Sequence, residues 1–250
     1  MSNDQKKVWI TGASSGIGKA VAEKFAKENW KVAISARRKE ILNEIAKNSN
    51  IISYPLDVTD ENQTQDTFNK IIKDFGDIDL CIFSSGTYER KSEKGLNVNN
   101  VKNVMDVNFL GVVRCIKAVQ EYFQNKKNGH ISIVSSPVGY RGLPTAGAYG
   151  LTKAGLINLA ESLYFDMQKN KIKISVINPG FIESKSTNLN TFPMPFIKSA
   201  EFAANKIFQG LTKSYKFEIY FPFFFLLIMK IGRILPYRLY FYLIRKITKL

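Results

Sequence analysis

Short runs of β-branched residues alternate with longer amphipathic stretches, and this alternation limits the possible folds more than any other feature of the chain. Extended patterns at residues 7–11, 31–36, 51–56, 79–83, 130–135 and 173–178 bracket helical patterns at 16–28, 39–48, 61–75, 98–124 and 146–169. Strand, helix, strand in this order builds right-handed crossover units and a parallel sheet covered on both faces. No Pro/Gly/Ser-rich linker interrupts the series and no segment repeats, so 250 residues read as one doubly wound α/β domain. After Gly180 the alternation loosens. A long loop leads to a helical pattern near 200–211 and a short strand at 217–221, and the domain is expected to end at residue 222, with 223–250 as a separate arm.

Composition removes several classes. With 45% apolar and 23% charged residues the chain can bury a core. Its two cysteines, Cys81 and Cys115, exclude a disulfide scaffold or a cysteine-based zinc site and read as buried thiols. A single histidine, His130, excludes a multi-histidine metal site; it opens a strand after Asn128-Gly129 and reads as a surface or edge residue. Trp9 and Trp30 read as packing residues. No metal is expected. The net charge of +15 carries neither zinc-finger spacing nor an RNA-binding motif, so nucleic acid is not an expected partner. The polar N-terminus does not read as a signal peptide, and the expected location is the cytoplasm.

The first strand runs into Thr11-Gly12-Ala13-Ser14-Ser15-Gly16-Ile17-Gly18, which then opens a helix. Glycines let the backbone turn tightly and approach a ligand, and a helix N-terminus offers free N–H groups and partial positive charge to a pyrophosphate. The second strand ends Ala36-Arg37-Arg38, where an acidic residue would otherwise bind a ribose 2′-hydroxyl. A guanidinium there suits a 2′-phosphate, which favours NADP(H) while leaving NAD(H) open; the alternative is two solvated arginines at a helix start. Asp57, after the third strand, either accepts from an adenine amine or shapes a turn.

Tyr149 and Lys153 stand one helical turn apart, on one face. An ammonium close to a phenol favours the phenolate, so the pair is expected to lower the tyrosine pKa and make it a proton donor or acceptor for an alkoxide. Ser136 lies just after the fifth strand, where its hydroxyl can meet a substrate oxygen. Asn108 is a polar residue in an apolar helical stretch and needs partners, with a water relay to Lys153 as one option.

Taken together, Thr11-Gly12-x-x-x-Gly16-Ile17-Gly18, Asp57, Asn108, Ser136, Tyr149-x-x-x-Lys153 and Asn178-Pro179-Gly180 resemble the short-chain dehydrogenase/reductase family over residues 6–222. The resemblance implies a Rossmann-like fold with a seven-stranded parallel sheet and hydride transfer at a nicotinamide, with Asn108, Ser136, Tyr149 and Lys153 as the catalytic set. It implies that Gly12, Ser14, Ser15, Gly16, Ile17 and Gly18 cradle the cofactor phosphates and that Arg37 and Arg38 meet the 2′-phosphate. Asp57 and Val58 would border the adenine. Gly86, Pro179, Gly180, Ile182 and Ser184 would line the nicotinamide end, where Asn108, Tyr149 and Lys153 complete the site. A homodimer or homotetramer built on the two long helices is the implied assembly. Where the family has Asn-Asn-Ala-Gly after the fourth strand, this chain has Phe83-Ser84-Ser85-Gly86, which removes an amide that braces the sheet.

The last 32 residues, from 219 on, contain six basic residues (Lys230, Arg233, Arg238, Arg245, Lys246, Lys249), nine of the 31 aromatics and no acid. Residues 219–229 are uncharged, too short a run for a spanning helix of about 20. Beyond Pro236, basic residues project to one side and Leu239, Leu243, Ile247 and Leu250 to the other, the pattern of an interfacial helix on the inner face of a membrane. The alternative is packing on the enzyme or on a second subunit. The expected activity is carbonyl–alcohol interconversion on an apolar or lipid-like substrate, with the loop at 181–197 and Val138, Leu143, Phe181, Phe192 and Met194 as pocket walls. A non-catalytic dinucleotide-binding scaffold at the membrane surface is the alternative function.

Overall fold

The computed structural model describes residues 5–88, 97–184, 187 and 194–248. Seven strands, β1 (Lys7–Thr11), β2 (Lys31–Ser35), β3 (Ile51–Ser53), β4 (Leu80–Phe83), β5 (Gly129–Val134), β6 (Ile172–Pro179) and β7 (Glu218–Phe221), form one sheet in the order β3-β2-β1-β4-β5-β6-β7. Every neighbouring pair is parallel. The chain winds outward from β1 to β3 and then returns to β4, so the winding reverses between β1 and β4; sheets of this kind take their ligands in the crevice beyond the carboxyl ends of the strands at such a reversal.

Alternation along the strands divides the core in two. Trp9, Ala33, Cys81 and Ile131 face α3 (Glu61–Phe75), α5 (Gly111–Lys126) and α6 (Gly147–Gln168). Val8, Ile10, Val32, Ile34 and Ile82 face α1 (Gly16–Lys27) and α7 (Ala200–Thr212). Burial on both faces explains why these strands read as continuous apolar runs. Between β2 and β3 runs the short α2 (Lys39–Ile45). Asp60 caps α3 by accepting from the Gln63 N–H at 2.9 Å, and Ser199 caps α7 in the same way.

The long helical pattern at 98–124 is not one regular helix. α4 (Val98–Met105) passes through a π-helical turn, Asp106–Leu110, into α5. Asn108 sits in that widened turn, completely buried. His130 also departs from expectation. It is buried in the interior strand β5, where its Nε2 lies 2.8 Å from Ser175 Oγ and its ring meets Tyr215 edge-on. Burial, with Lys173 nearby, pushes its pKa down to about 4, so it is a neutral core residue. Cys81 and Cys115 are buried free thiols, and Trp9 donates to Ser35 Oγ at 2.9 Å.

Two helices follow the sheet: α8 (Phe223–Ile234) and α9 (Tyr237–Thr248). α8 packs on the α6 side of the sheet through Leu226, fully buried, with Phe225 and Met229 beside it. The inward residue of α9 is Tyr240, with Leu243 and Ile244 half-buried, whereas Leu239 and Ile247 are exposed. Lys249 and Leu250 lie outside the described residues. The helix is turned this way because Tyr240 donates to Gly142 O at 2.7 Å and its ring lies 4.1 Å under the Arg141 guanidinium.

A polar knot joins this arm to the sheet. Glu218 accepts hydrogen bonds from Tyr140, from Asn178 and from Lys230 of α8. Burial alone would raise the Glu218 pKa, but the three donors win and hold it below its ordinary 4.5. The stabilisation is therefore complete above that value and is lost as pH falls through the depressed folded value. Glu218→Gln should give a shallower acid limb below about pH 4.5 than the wild type in a plot of Tm against pH, with a lower Tm at neutral pH.

Candidate active site

The glycine turn sits at the switch point, pressed against the chain leaving β4. A Cβ on Gly12, whose φ is +70°, would stand 2.6 Å from Ser84 O, and one on Gly18 would stand 2.4 Å from Gly12 O. Neither position tolerates a side chain, so the backbone itself forms the floor of the crevice. Ser15, at the N-cap of α1, makes no side-chain cap, and the first turn holds no acid. The N–H groups of that turn remain directed outward, which suits an anion. Ile17 anchors the turn to the core shared with α1 and α7.

Arg38 donates to Ser14 Oγ at 2.8 Å and to Ser15 Oγ at 3.0 Å, which ties the end of β2 to the glycine turn. Arg37 is exposed and does not share that contact. Asp57 Oδ1 accepts from Thr59 N at 3.0 Å and Thr59 Oγ1 at 2.9 Å, so this carboxylate shapes its own turn. Val58 is buried beside Gly111 at the start of α5.

At the other end of the crevice, α6 sets Tyr149 and Lys153 on one face. Lys153 is buried, and its Nζ donates to Val134 O at 2.9 Å and lies 5.5 Å from the centroid of the Tyr149 ring. Ser135 Oγ donates to Lys153 O at 2.8 Å, fastening α6 to the end of β5. Ser136 opens the short 3-10 turn Pro137–Gly139, and its hydroxyl also hydrogen-bonds Tyr149. A Cβ on Gly86 would lie 3.6 Å from Asn108 Oδ1 and 3.9 Å from Lys153 Nζ, which places the chain beyond β4 against both. The Asn108 amide is engaged with Thr87 on both sides: Thr87 N donates to Oδ1 at 2.7 Å and Nδ2 donates to Thr87 O at 2.8 Å. Asn108 thus clamps the segment where the family's asparagine is replaced by Ser84, and its amide does not bond Lys153. Thr11 Oγ1 and Ser132 Oγ, on the strands flanking β4, are buried without a hydrogen-bond partner.

The first residues after β6 are held against β7, α8 and the glycine turn. Gly180 N donates to Phe221 O at 2.8 Å, and a Cβ on Gly180 would meet Pro222 at 3.0 Å and Phe225 at 3.1 Å. Pro179 ends β6 in register with Phe221. Ile182 is buried and bridges to Lys198, and Ser184 lies over Gly16, 3.6 Å from a Cβ placed there. Of the expected pocket walls, Val138 is buried, Leu143 and Met194 are half-buried, and Phe181 packs on Phe225 of α8; Phe192 lies outside the described residues. Tyr88, whose ring meets Tyr149 edge-on at 5.2 Å, belongs to the site but carries no motif that would reveal it in the sequence.

The sequence pattern of the short chain dehydrogenases matches residues 6–192. The chain is 30% identical to a Myxococcus xanthus protein described as an uncharacterized oxidoreductase, over 91% of each chain. It is 30% identical to carbonyl reductase family member 4 of Xenopus tropicalis, over 71% of this chain and 76% of that one. Among solved structures, ElxO with NADP bound superposes with a TM-score of 0.78 at 28% identity, over 86% of this chain and 97% of that one.

This chain is a short-chain dehydrogenase/reductase. Tyr149 and Lys153 of this oxidoreductase depart from the expected electrostatics. Burial pushes the Tyr149 phenol up to about 12, opposed by the Ser136 hydrogen bond and reinforced by Tyr88. Burial also pulls the Lys153 ammonium down to about 8. The expected lowering of the phenol by the ammonium is absent here, because Nζ is turned to Val134 O and desolvation is the larger effect on both groups. At neutral pH the phenol therefore holds its proton and Lys153 is still charged. Carbonyl reduction should be steady around neutral pH and fall above about pH 8, as Lys153 loses its charge, in a kcat/KM–pH profile.

Proposed function

We propose that this enzyme is an NADP(H)-dependent reductase of apolar ketones or aldehydes. The observation that carries the cofactor preference is the Arg38 guanidinium fixed over Ser14 and Ser15, with no carboxylate at the end of β2. The glycine floor and the uncapped start of α1 fit a dinucleotide pyrophosphate, and the NADP bound to ElxO supports the same reading. Gly12, Ser14, Ser15, Gly16, Ile17, Gly18 and Arg38 would hold the phosphates, with Arg37 at the rim. Asp57 and Val58 would flank the adenine. Gly86, Asn108, Tyr149, Lys153, Pro179, Gly180, Ile182 and Ser184 would frame the nicotinamide, and NAD(H) is the weaker cofactor.

When bound, the cofactor supplies hydride from the nicotinamide to the carbonyl carbon. Ser136 donates a hydrogen bond to the carbonyl oxygen as charge develops there. Tyr149 gives its proton to the forming alkoxide and so completes the alcohol. Lys153, committed to Val134 O, would hold the ribose end of the site. Asn108 keeps the Thr87 backbone in place. A phenol raised to about 12 is poised as an acid, which favours reduction; oxidation of an alcohol requires the phenolate.

The relative named carbonyl reductase supports the substrate class, and the apolar walls around Val138, Phe181 and Met194 favour a large apolar carbonyl. Exposed Leu151 and Phe165 on α6, with Leu110 before α5, offer the apolar surface a homodimer or homotetramer would cover. We place the chemistry in residues 1–222 and a peripheral contact with the inner face of a membrane in 223–250; among the described residues no helix is long and apolar enough to cross one.

Two measurements test this reading. Tyr149→Phe should lower kcat for reduction about 100-fold or more while leaving NADPH affinity, read by cofactor fluorescence, nearly unchanged. Retained turnover would remove Tyr149 as the acid. Arg38→Ala should weaken NADPH about tenfold or more and NADH little; an equal loss of both would remove the 2′-phosphate contact.

A further inference from the structure

We propose that α8 and α9 dock this enzyme on a bilayer containing anionic lipid, and that its carbonyl substrate enters from that bilayer; the second part rests on the apolar-carbonyl reading above. α8 is two-faced. Leu226 and Phe225 point into the protein, whereas Phe224 (71% exposed), Ile228 (59%), Ile231 (48%) and Ile234 (81%) form an outward stripe without a charge. Scattered apolar residues are ordinary on a surface, but a whole helix face is not. α9 adds exposed Tyr237, Phe241 and Tyr242 among Arg238, Arg245 and Lys246.

Charge selects the occupant. Residues 219–250 hold no Asp or Glu, and the chain carries +15. A second copy seated on this face would set basic arm against basic arm. Anionic headgroups supply the opposite charge, about 1 kcal/mol per basic residue near the surface, while the acyl boundary takes the aromatic and aliphatic stripe. Both helices have 12 residues, suited to lying in an interface and too short to span it.

The orientation of the arm is fixed by the catalytic segment itself. Between Ser136 and Tyr149, three consecutive residues grip it. Tyr140 shares Glu218 with Lys230, Arg141 donates to Gly232 O and Leu235 O at 2.6 Å each, and Gly142 O receives the Tyr240 hydroxyl. The inner edge of α8 then meets the substrate loop, with Phe225 against Phe181 at 5.5 Å between ring centroids. One helix thus presents its outer face to lipid and its inner edge to the wall of the substrate pocket.

Flotation of the full-length protein with vesicles tests docking directly. It should float with phosphatidylcholine–phosphatidylglycerol vesicles and much less with phosphatidylcholine alone. Phe224→Asp/Ile228→Asp, at exposed positions, should lower the bound fraction about tenfold or more. The same variant should reduce a short water-soluble ketone as the wild type does, yet lose turnover of a long-chain ketone presented in the mixed vesicles. Failure of the wild type to float, or equal flotation of the variant, would overturn docking. So would a variant that turns a dimer into a monomer by sedimentation while still binding vesicles. Equal vesicle turnover by both proteins would overturn delivery from the bilayer. Absence of turnover with every carbonyl would instead strike the reductase reading, leaving flotation to decide docking.

Discussion

The burial of Lys153 is the constraint on which the site depends. Its ammonium is committed to Val134 O at the end of β5, its carbonyl receives Ser135 Oγ, and Gly139 packs so closely that a Cβ would stand 2.7 Å from Lys153 O. One residue thereby joins α6, β5 and the turn after Ser136. A buried cation must be hydrogen-bonded to remain charged, and the strand carbonyl meets that need. The same contact leaves Nζ 5.5 Å from the centroid of the Tyr149 ring and 3.9 Å from a Cβ placed on Gly86, without the acidification of the phenol that was expected.

That arrangement sets desolvation against charge attraction. Spacing of one helical turn guarantees that the ammonium and the phenol are neighbours, but it does not reveal how much water either has lost. Here both groups move toward their neutral forms, the phenol up and the ammonium down. The consequence is a phenol that keeps its proton at neutral pH, a state that follows from burial instead of from the motif.

Most of the sheet was legible because strands buried on both faces must be apolar, and the helices between them must show a stripe. The glycine turn was legible because only glycine fits where Gly12 and Gly18 touch backbone. Other features depend on tertiary contacts that leave no local mark. Arg37 and Arg38 are equivalent as letters, and only the path of the chain into α2 aims one of them at Ser14 and Ser15. His130 read as peripheral because a lone histidine after a turn usually is; Ser175 on the adjacent strand β6 makes its burial tolerable. The π-helical turn at Asn108 is invisible to a periodicity search, since five residues shift the phase without interrupting the apolar pattern.

The arm shows the same limit from another side. A helical projection assigned its apolar face to Leu239, Leu243 and Ile247, but the protein buries Tyr240 because the Arg141 guanidinium and the Gly142 carbonyl are waiting for an aromatic ring that also carries a hydroxyl. Hydrophobicity alone ranks leucine above tyrosine for burial; a cation and an acceptor at the same spot reverse the order. Once Tyr240 is held, the remaining apolar side chains of α9 cannot all turn inward, and Leu239 and Ile247 stay exposed, as do Phe224, Ile228, Ile231 and Ile234 on α8. The contacts of Tyr140, Arg141 and Gly142 thus set which face of the arm turns inward, and a leucine-based projection could not foresee them.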